Sequence, residues 1–178
     1  SAPEAWESSP VLKHEEFARA EMLGLFDYMR KSKSEGFVVS LSGGVDSSAA
    51  SCLVSLMVKH GVAQLGLPSF KKKLSHVQGI ASLKGEAALT KRLLACVYQA
   101  SENSSKETRD AARAVAKEIG AEFFDISIAG LVGEYEQLIS TATGVRLSWK
   151  EHDIARQNIQ ARVRSPAVWL LAGRSEEH

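Results

Sequence analysis

Ser42-Gly43-Gly44-Val45-Asp46-Ser47, followed by Ser48, brings hydroxyls, glycines and one carboxylate into a single short stretch. Residues of these types in this order can hold phosphate. The first amides of a helix have no partner inside the helix, and the helix dipole adds partial positive charge there. Gly43 and Gly44 permit positive φ and let the backbone approach an anion with no Cβ in the way. Ser42, Ser47 and Ser48 add hydroxyl donors to the cradle. Asp46 would repel phosphate on its own, and a magnesium ion lying between the two removes the conflict. The competing reading is a tight glycine turn with a Ser/Asp helix cap. The position of the whole motif, between an apolar run and a small-residue helix, favours the phosphate site.

The surrounding elements must deliver that loop. Phe37-Val38-Val39-Ser40-Leu41 reads as a buried strand, and the stretch from Ser47 to Val58 as a helix with Ala50, Leu53, Val54 and Met57 on its apolar face. Ahead of them, residues 14–30 carry Ala18, Met22, Leu25, Phe26 and Met29 at helical spacing, and residues 1–13 read as an irregular lead-in. Leu93-Leu94-Ala95-Cys96-Val97-Tyr98 is a second strand, and Ser101 to Ser105 caps a helix from Lys106 to Ile119 that ends at Gly120. Residues 122–126 form a third strand. Helices follow near 129–141 and 150–171, the second interrupted at Pro166. Residues 59–92, with four glycines and a proline (Gly61, Gly66, Pro68, Gly79, Gly85), read as a long insertion with some helix near its end. Alternating strands and helices predict an α/β, Rossmann-like three-layer fold in which helices flank a parallel sheet.

Composition sets the frame. The chain has 178 residues, 44% apolar and 24% charged, with a formal net charge of +1. That is the composition of one ordinary globular domain, with no electrostatic reason to expect nucleic acid or an anionic membrane as partner. Lys71-Lys72-Lys73 is the only dense basic cluster, and a solvated loop accounts for it. Cys52 and Cys96 lie in apolar runs without ligand-like spacing, so free thiols are expected. No apolar stretch reaches the ~20 residues of a membrane helix, which makes a cytoplasmic location the default. Neither G-x-x-x-x-G-K-[ST] nor G-x-G-x-x-G occurs, so P-loop and common dinucleotide redox chemistry are unsupported.

With the S-G-G-V-D-S loop in place, the sequence resembles the ATP-pyrophosphatase (adenine nucleotide α-hydrolase) superfamily. Three further stretches, Phe26 to Ser32, Tyr98 to Thr108 and Asp153 to Arg164, look like the NAD synthetases within it, most of all the synthetase domain of the glutamine-dependent type. Q-N-I-Q-A-R-V-R, from Gln157 to Arg164, is the most specific of these. The resemblance implies ligase chemistry: ATP-dependent amidation of deamido-NAD through an acyl-adenylate, with AMP and pyrophosphate released. It implies that Ser42 to Ser48 hold ATP, with Ser104 and Ser105 close to the nucleotide, and that Asp46 binds Mg2+. Tyr28, Asn158 and Arg162 match positions that hold deamido-NAD. Asn158 and Arg162 are four apart and so share a helix face, although two arginines, Arg162 and Arg164, would by themselves suit a solvated face. Arg174-Ser175-Glu176 echoes a family R-S-E in which the glutamate is a second magnesium ligand. Glu176 is then that ligand or part of an unrelated tail. A homodimer is implied, as is a separate nitrilase-like glutaminase domain as ammonia source, so residues 14–178 read as a C-terminally incomplete domain of a larger synthetase. The alternatives are a non-catalytic ATP-binding module and another amidotransferase-linked synthetase.

Overall fold

The computed structural model describes residues 5–174. A short 3-10 turn, Ala5–Ser8, precedes helix α1, Leu12–Ser32. From Ala5 onward the lead-in is therefore more regular than expected: Arg19 of α1 stacks over the Trp6 ring, 4.6 Å from its centroid, and the helix begins two residues earlier than expected. Ala18, Met22, Leu25, Phe26 and Met29 do form its core face.

Strand β1, Phe37–Ser40, leads through the glycine loop into α2, Val45–Leu65. The buried face of α2 is Ser51, Val54, Met57 and Val58, with Leu53 packed against the core. Ala50, assigned to that face from the sequence, is exposed.

Residues 59–92 are not a loop. After α2 come α3 (Leu67–Lys73), a 3-10 turn (Ile80–Ser82) and α4 (Gly85–Leu93), and their side chains fill the core: Phe70, Leu74, Leu89 and Leu93 have no exposed surface. Gly61 explains part of this, because a Cβ there would stand 2.5 Å from the Phe70 ring. Lys71 does not sit in a solvated loop either. Its ammonium ties α3 to the next turn by donating to Ala81 O at 2.6 Å and Leu83 O at 3.1 Å. Arg92 fastens the same region to the turn before β1 through Gln78 O, Glu35 O and an ion pair with the Glu35 carboxylate.

Strand β2, Leu94–Ala100, is followed by α5, Lys106–Glu118, and β3, Glu122–Ser127. Ser105 caps α5 as expected, its hydroxyl accepting from Thr108 N at 3.2 Å, an interaction worth about 1 kcal/mol. The three strands lie parallel in the order β1-β2-β3. Helices α6 (Ala129–Thr143), α7 (Asp153–Arg162) and α8 (Arg164–Gly173) complete the chain. The break between α7 and α8 falls at Val163, ahead of Pro166, which then occupies the first turn of α8, where its missing N–H costs little.

Alternation along β2 defines the layers. On one face, the Cys96 thiol meets Ser51 of α2 and the Tyr98 hydroxyl meets Thr108 of α5, at 2.9 Å. On the other, Arg174, just past α8, pairs with Glu122 and stacks over Phe124. Helices on both faces of a parallel sheet make the fold α/β and Rossmann-like. Cys52 is half-buried and Cys96 buried, both as free thiols, and burial pushes the Cys96 thiol pKa up. No single helix among the described residues is long and apolar enough to cross a membrane.

Candidate functional site

The glycine loop sits at the C-terminal end of β1, where α2 begins. Its geometry follows from its residues. Gly43 has φ +82°, the left-handed region, and a Cβ on it would lie 2.5 Å from the Thr108 carbonyl oxygen. No other residue type fits there without moving α5. Gly44 differs from the sequence expectation: its φ of −91° and ψ of 170° are extended, and it serves as the N-cap of α2. The hydroxyls brace the turn. Ser42 Oγ accepts from Gly44 N at 3.2 Å, Ser42 N donates to Ser47 Oγ at 3.2 Å, and Ser48 Oγ donates to Gly44 O at 2.7 Å. Val45 is 83% exposed. Asp46 is exposed in the first turn of α2, and the structure gives it no ion pair among the described residues.

Next to the loop lies a cavity of about 330 Å³, lined by Ser42, Gln99, Ser104, Ser105, Thr108 and Arg164 among others. The structure thus brings Ser42, Ser104 and Ser105 to one place. Ser104 Oγ accepts from Ser101 N at 2.8 Å, closing the turn that starts α5. Two helix N-termini, those of α2 and α5, converge here and give the site a positive bias from the backbone alone. Glu107, in the first turn of α5, is held below its ordinary carboxyl pKa by its own backbone amide and the Ser105 hydroxyl.

Asn158 and Arg162 lie together as expected: Arg162 Nη1 donates to Asn158 Oδ1 at 3.1 Å, and both are exposed on α7. Arg156 holds α7 to α6 through two bonds to Glu136, at 2.6 and 2.9 Å, and stacks over Trp149. Neither Asn158 nor Arg162 lines the cavity, whereas Arg164, two residues on, does. Tyr28 is 61% exposed on α1 and lines a separate cavity with Phe37 and Arg92. Phe37 begins β1 and the loop follows its end, so one chain does not bring Tyr28 to the glycine loop. Glu176 lies outside the described residues.

Sequence reasoning missed Gln99 and underrated Arg164. Gln99 is 5% exposed, and its Oε1 has no hydrogen-bond partner among the described residues. The doublet Arg162/Arg164 was visible as a signal, but which arginine turns inward depends on the break at Val163.

The residues present fit a nucleotide with magnesium. Gly44 keeps a Cβ out of the cradle, where it would stand 3.2 Å from Ser42 Oγ, and the polar side chains of Ser42, Ser104, Ser105 and Thr108 line the cavity beside it. Asp46 is one carboxylate, and among the described residues no three His, Cys, Asp or Glu side chains cluster as a metal site. Magnesium needs little more, because it is bound by one or two carboxylates with phosphate oxygens and waters completing its shell.

A parallel sheet whose C-terminal edge carries a glycine loop and two helix N-termini has the architecture on which other α/β proteins build phosphate and nucleotide sites. The chain belongs to the NAD synthase family, whose model matches residues 18–177. It is 35% identical to the glutamine-dependent NAD(+) synthetase of Bos taurus over 184 residues, covering 97% of this chain and 26% of that protein. The Arabidopsis thaliana glutamine-dependent NAD(+) synthetase is 34% identical, with coverages of 89% and 23%. Among solved structures, a glutamine-dependent NAD(+) synthetase from Cytophaga hutchinsonii superposes with a TM-score of 0.84 at 39% identity, covering 90% of this chain and 29% of that one. The chain spans about a quarter of the length of the curated relatives it matches.

Proposed function

We propose that this chain is the synthetase part of an enzyme that converts deamido-NAD to NAD with ATP, a ligase forming a C–N bond. The observation that carries the reading is a glycine loop opening beside a nucleoside-sized cavity, in a chain whose family match spans residues 18–177.

The α2 amides and the Ser42, Ser47 and Ser48 hydroxyls hold the β- and γ-phosphates, while Ser104 and Ser105 border the nucleoside. Magnesium, when bound by Asp46, neutralises pyrophosphate charge. On the resemblance alone, Glu176 is a second magnesium ligand. The nicotinate carboxylate oxygen attacks the α-phosphorus, the bond to the bridging oxygen breaks, and pyrophosphate leaves. Ammonia then attacks the acyl carbon, the C–O bond to AMP breaks, and the surplus protons pass to solvent. Neither step demands a strong general base in this site, so the chain's contribution is positioning and charge neutralisation. Asn158 and Arg162 hold deamido-NAD, and Tyr28 reaches it from a second copy of the chain, which requires a homodimer. Glutamine is the nitrogen source, as the names of the relatives suggest; a separate domain releases its ammonia, and the setting is cytoplasmic.

The test is to incubate the protein with ATP, deamido-NAD and ammonia and to follow NAD, AMP and pyrophosphate. Equimolar AMP and NAD are expected, and ADP in place of AMP would sink the proposal. A second reading, a non-catalytic nucleotide-binding module, is favoured by Asp46 being the one carboxylate within the loop itself, Ser42 to Ser48. ATP binding that is indifferent to magnesium and releases no pyrophosphate would select it.

A further inference from the structure

The doublet Arg162/Arg164 straddles the break between α7 and α8. Residues two apart on a helix do not share a face, and these two have different surroundings. Arg162 is exposed beside Asn158, whereas Arg164 opens α8 and is half-buried. Its Nη1 donates to Gln160 O at 2.9 Å. Nε and Nη2, the edge with which Arg156 grips Glu136, have no partner among the described residues. The other half-buried arginines each have a carboxylate: Arg19 has Glu15, Arg92 has Glu35, Arg109 has Asp125 and Arg156 has Glu136. Arg164 has none among the described residues. Drawing a charge partly out of water without an opposite charge is costly, so an anion reaching this guanidinium is favoured. Arg164 also lines the cavity of about 330 Å³ beside the glycine loop, and among the described residues there it alone carries a formal charge.

We propose that Arg164 is a phosphate ligand whose guanidinium binds the pyrophosphate portion of the nucleotide held by the glycine loop. This rests on the ATP-binding reading above and adds the side-chain cation that the loop lacks. From Ser42 to Ser48 the side chains are hydroxyls, one valine and one carboxylate. Magnesium offsets only part of the charge of a triphosphate, and Asp46 adds negative charge of its own. Backbone amides and helix dipoles contribute partial charges, which leaves the cavity wall to supply a full one. A guanidinium suits the task, because it stays protonated and presents a planar fork of donors that matches phosphate oxygens. The two arginines of the doublet then serve different ligands, Arg164 the pyrophosphate portion and Arg162, on the reading above, deamido-NAD.

The test is calorimetric titration of the full chain, of Arg164→Gln and of Arg162→Gln with ATP and with inorganic pyrophosphate, each with magnesium. Glutamine removes the charge and keeps an amide donor. In Arg164→Gln both ligands are expected to bind about tenfold to a hundredfold more weakly. Its melting temperature is expected to stay within about 2 °C of the parent. In Arg162→Gln both affinities are expected to change less than about twofold, since an exposed charge outside the cavity is screened by salt. An unchanged pyrophosphate affinity in Arg164→Gln overturns the proposal, whatever happens to ATP. Equal losses in the two variants make the effect one of net charge and overturn it too. Losses accompanied by a markedly lower melting temperature assign Arg164 a structural role instead. A parent that binds ATP but no pyrophosphate overturns the Arg164 assignment alone. A parent that binds no ATP overturns the ATP-binding reading itself, and the assignment falls with it.

Discussion

Replacing Gly43 by alanine should be the most damaging single-methyl change in the loop. Two costs arise together. A residue with a Cβ at φ +82° is held in the left-handed region, at about 1–3 kcal/mol. The new Cβ would also lie 2.5 Å from the Thr108 carbonyl oxygen, 3.0 Å from its Cα and 3.1 Å from its carbonyl carbon. All three are backbone atoms, so nothing can rotate away, and relieving the overlap means shifting the start of α5, for about another 1–3 kcal/mol. The sum, about 2–6 kcal/mol, corresponds to a fall in melting temperature of roughly 4–24 °C for a chain of this size. Gly44→Ala is the internal control. Its φ of −91° suits alanine, and its nearest contact is the rotatable Ser42 Oγ at 3.2 Å, so a cost below about 1 kcal/mol is expected. Urea and thermal unfolding of both variants decide the matter. Equal stabilities for the two would refute the claim that the loop is wedged against α5.

The other predictions concern the site and the core. Asp46→Asn should abolish NAD formation while leaving the melting temperature nearly unchanged, within about 0.5 kcal/mol, since Asp46 is exposed and forms no ion pair among the described residues; near-normal turnover would remove its metal role. Gly61→Ala should destabilise the fold by about 1–3 kcal/mol without touching nucleotide affinity per folded molecule, measured by calorimetry below the melting transition. An unaltered unfolding midpoint would mean that Phe70 yields freely. Iodoacetamide in excess at neutral pH should label Cys52 before Cys96, because Cys96 is buried and its raised pKa keeps it a thiol; mass spectrometry of the native protein showing Cys96 modified first would contradict this. Asp27 is held below its ordinary carboxyl pKa by hydrogen bonds from Lys31 and Arg30. A depressed carboxylate favours the fold above its unfolded pKa, so any contribution should fade only as the pH drops through the lowered value. Titration of its carboxyl carbon by NMR would test the direction.

The strands and the loop were legible because their signals are local. Phe37–Ser40 is a dense β-branched and aromatic run, and Ser105 is a capping residue just ahead of a strongly amphipathic helix. Residues 59–92 misled because their glycines look like loop punctuation. One of them, Gly61, lies inside a helix to admit the Phe70 ring, and Gly66 ends that helix with φ +74° so that α3 can fold back. Segments of 7 and 9 residues such as α3 and α4 are also too short to display a helical period clearly. Gln99 was hidden for another reason. In a strand buried on both faces every side chain looks like core, and only the neighbouring Ser40 and the opened cavity reveal a side chain with an unanswered oxygen. That Asn158 and Arg162 share a helix face was legible from their spacing of four, whereas Tyr28 was named on the resemblance alone, and the distance of all three from the loop depends on packing between elements.

The serine hydroxyls of the glycine loop bond to one another and to the loop's own backbone before any ligand arrives. The ordering of this turn is thus completed during folding, and little conformational freedom remains to be lost when an anion docks. On the proposed reading, phosphate would meet the unpartnered first amides of α2 directly and the serine hydroxyls only by exchange with these internal bonds. Selection among oxyanions would then rest in part on shape, since an anion gains from the hydroxyls only where it replaces several of these bonds at once.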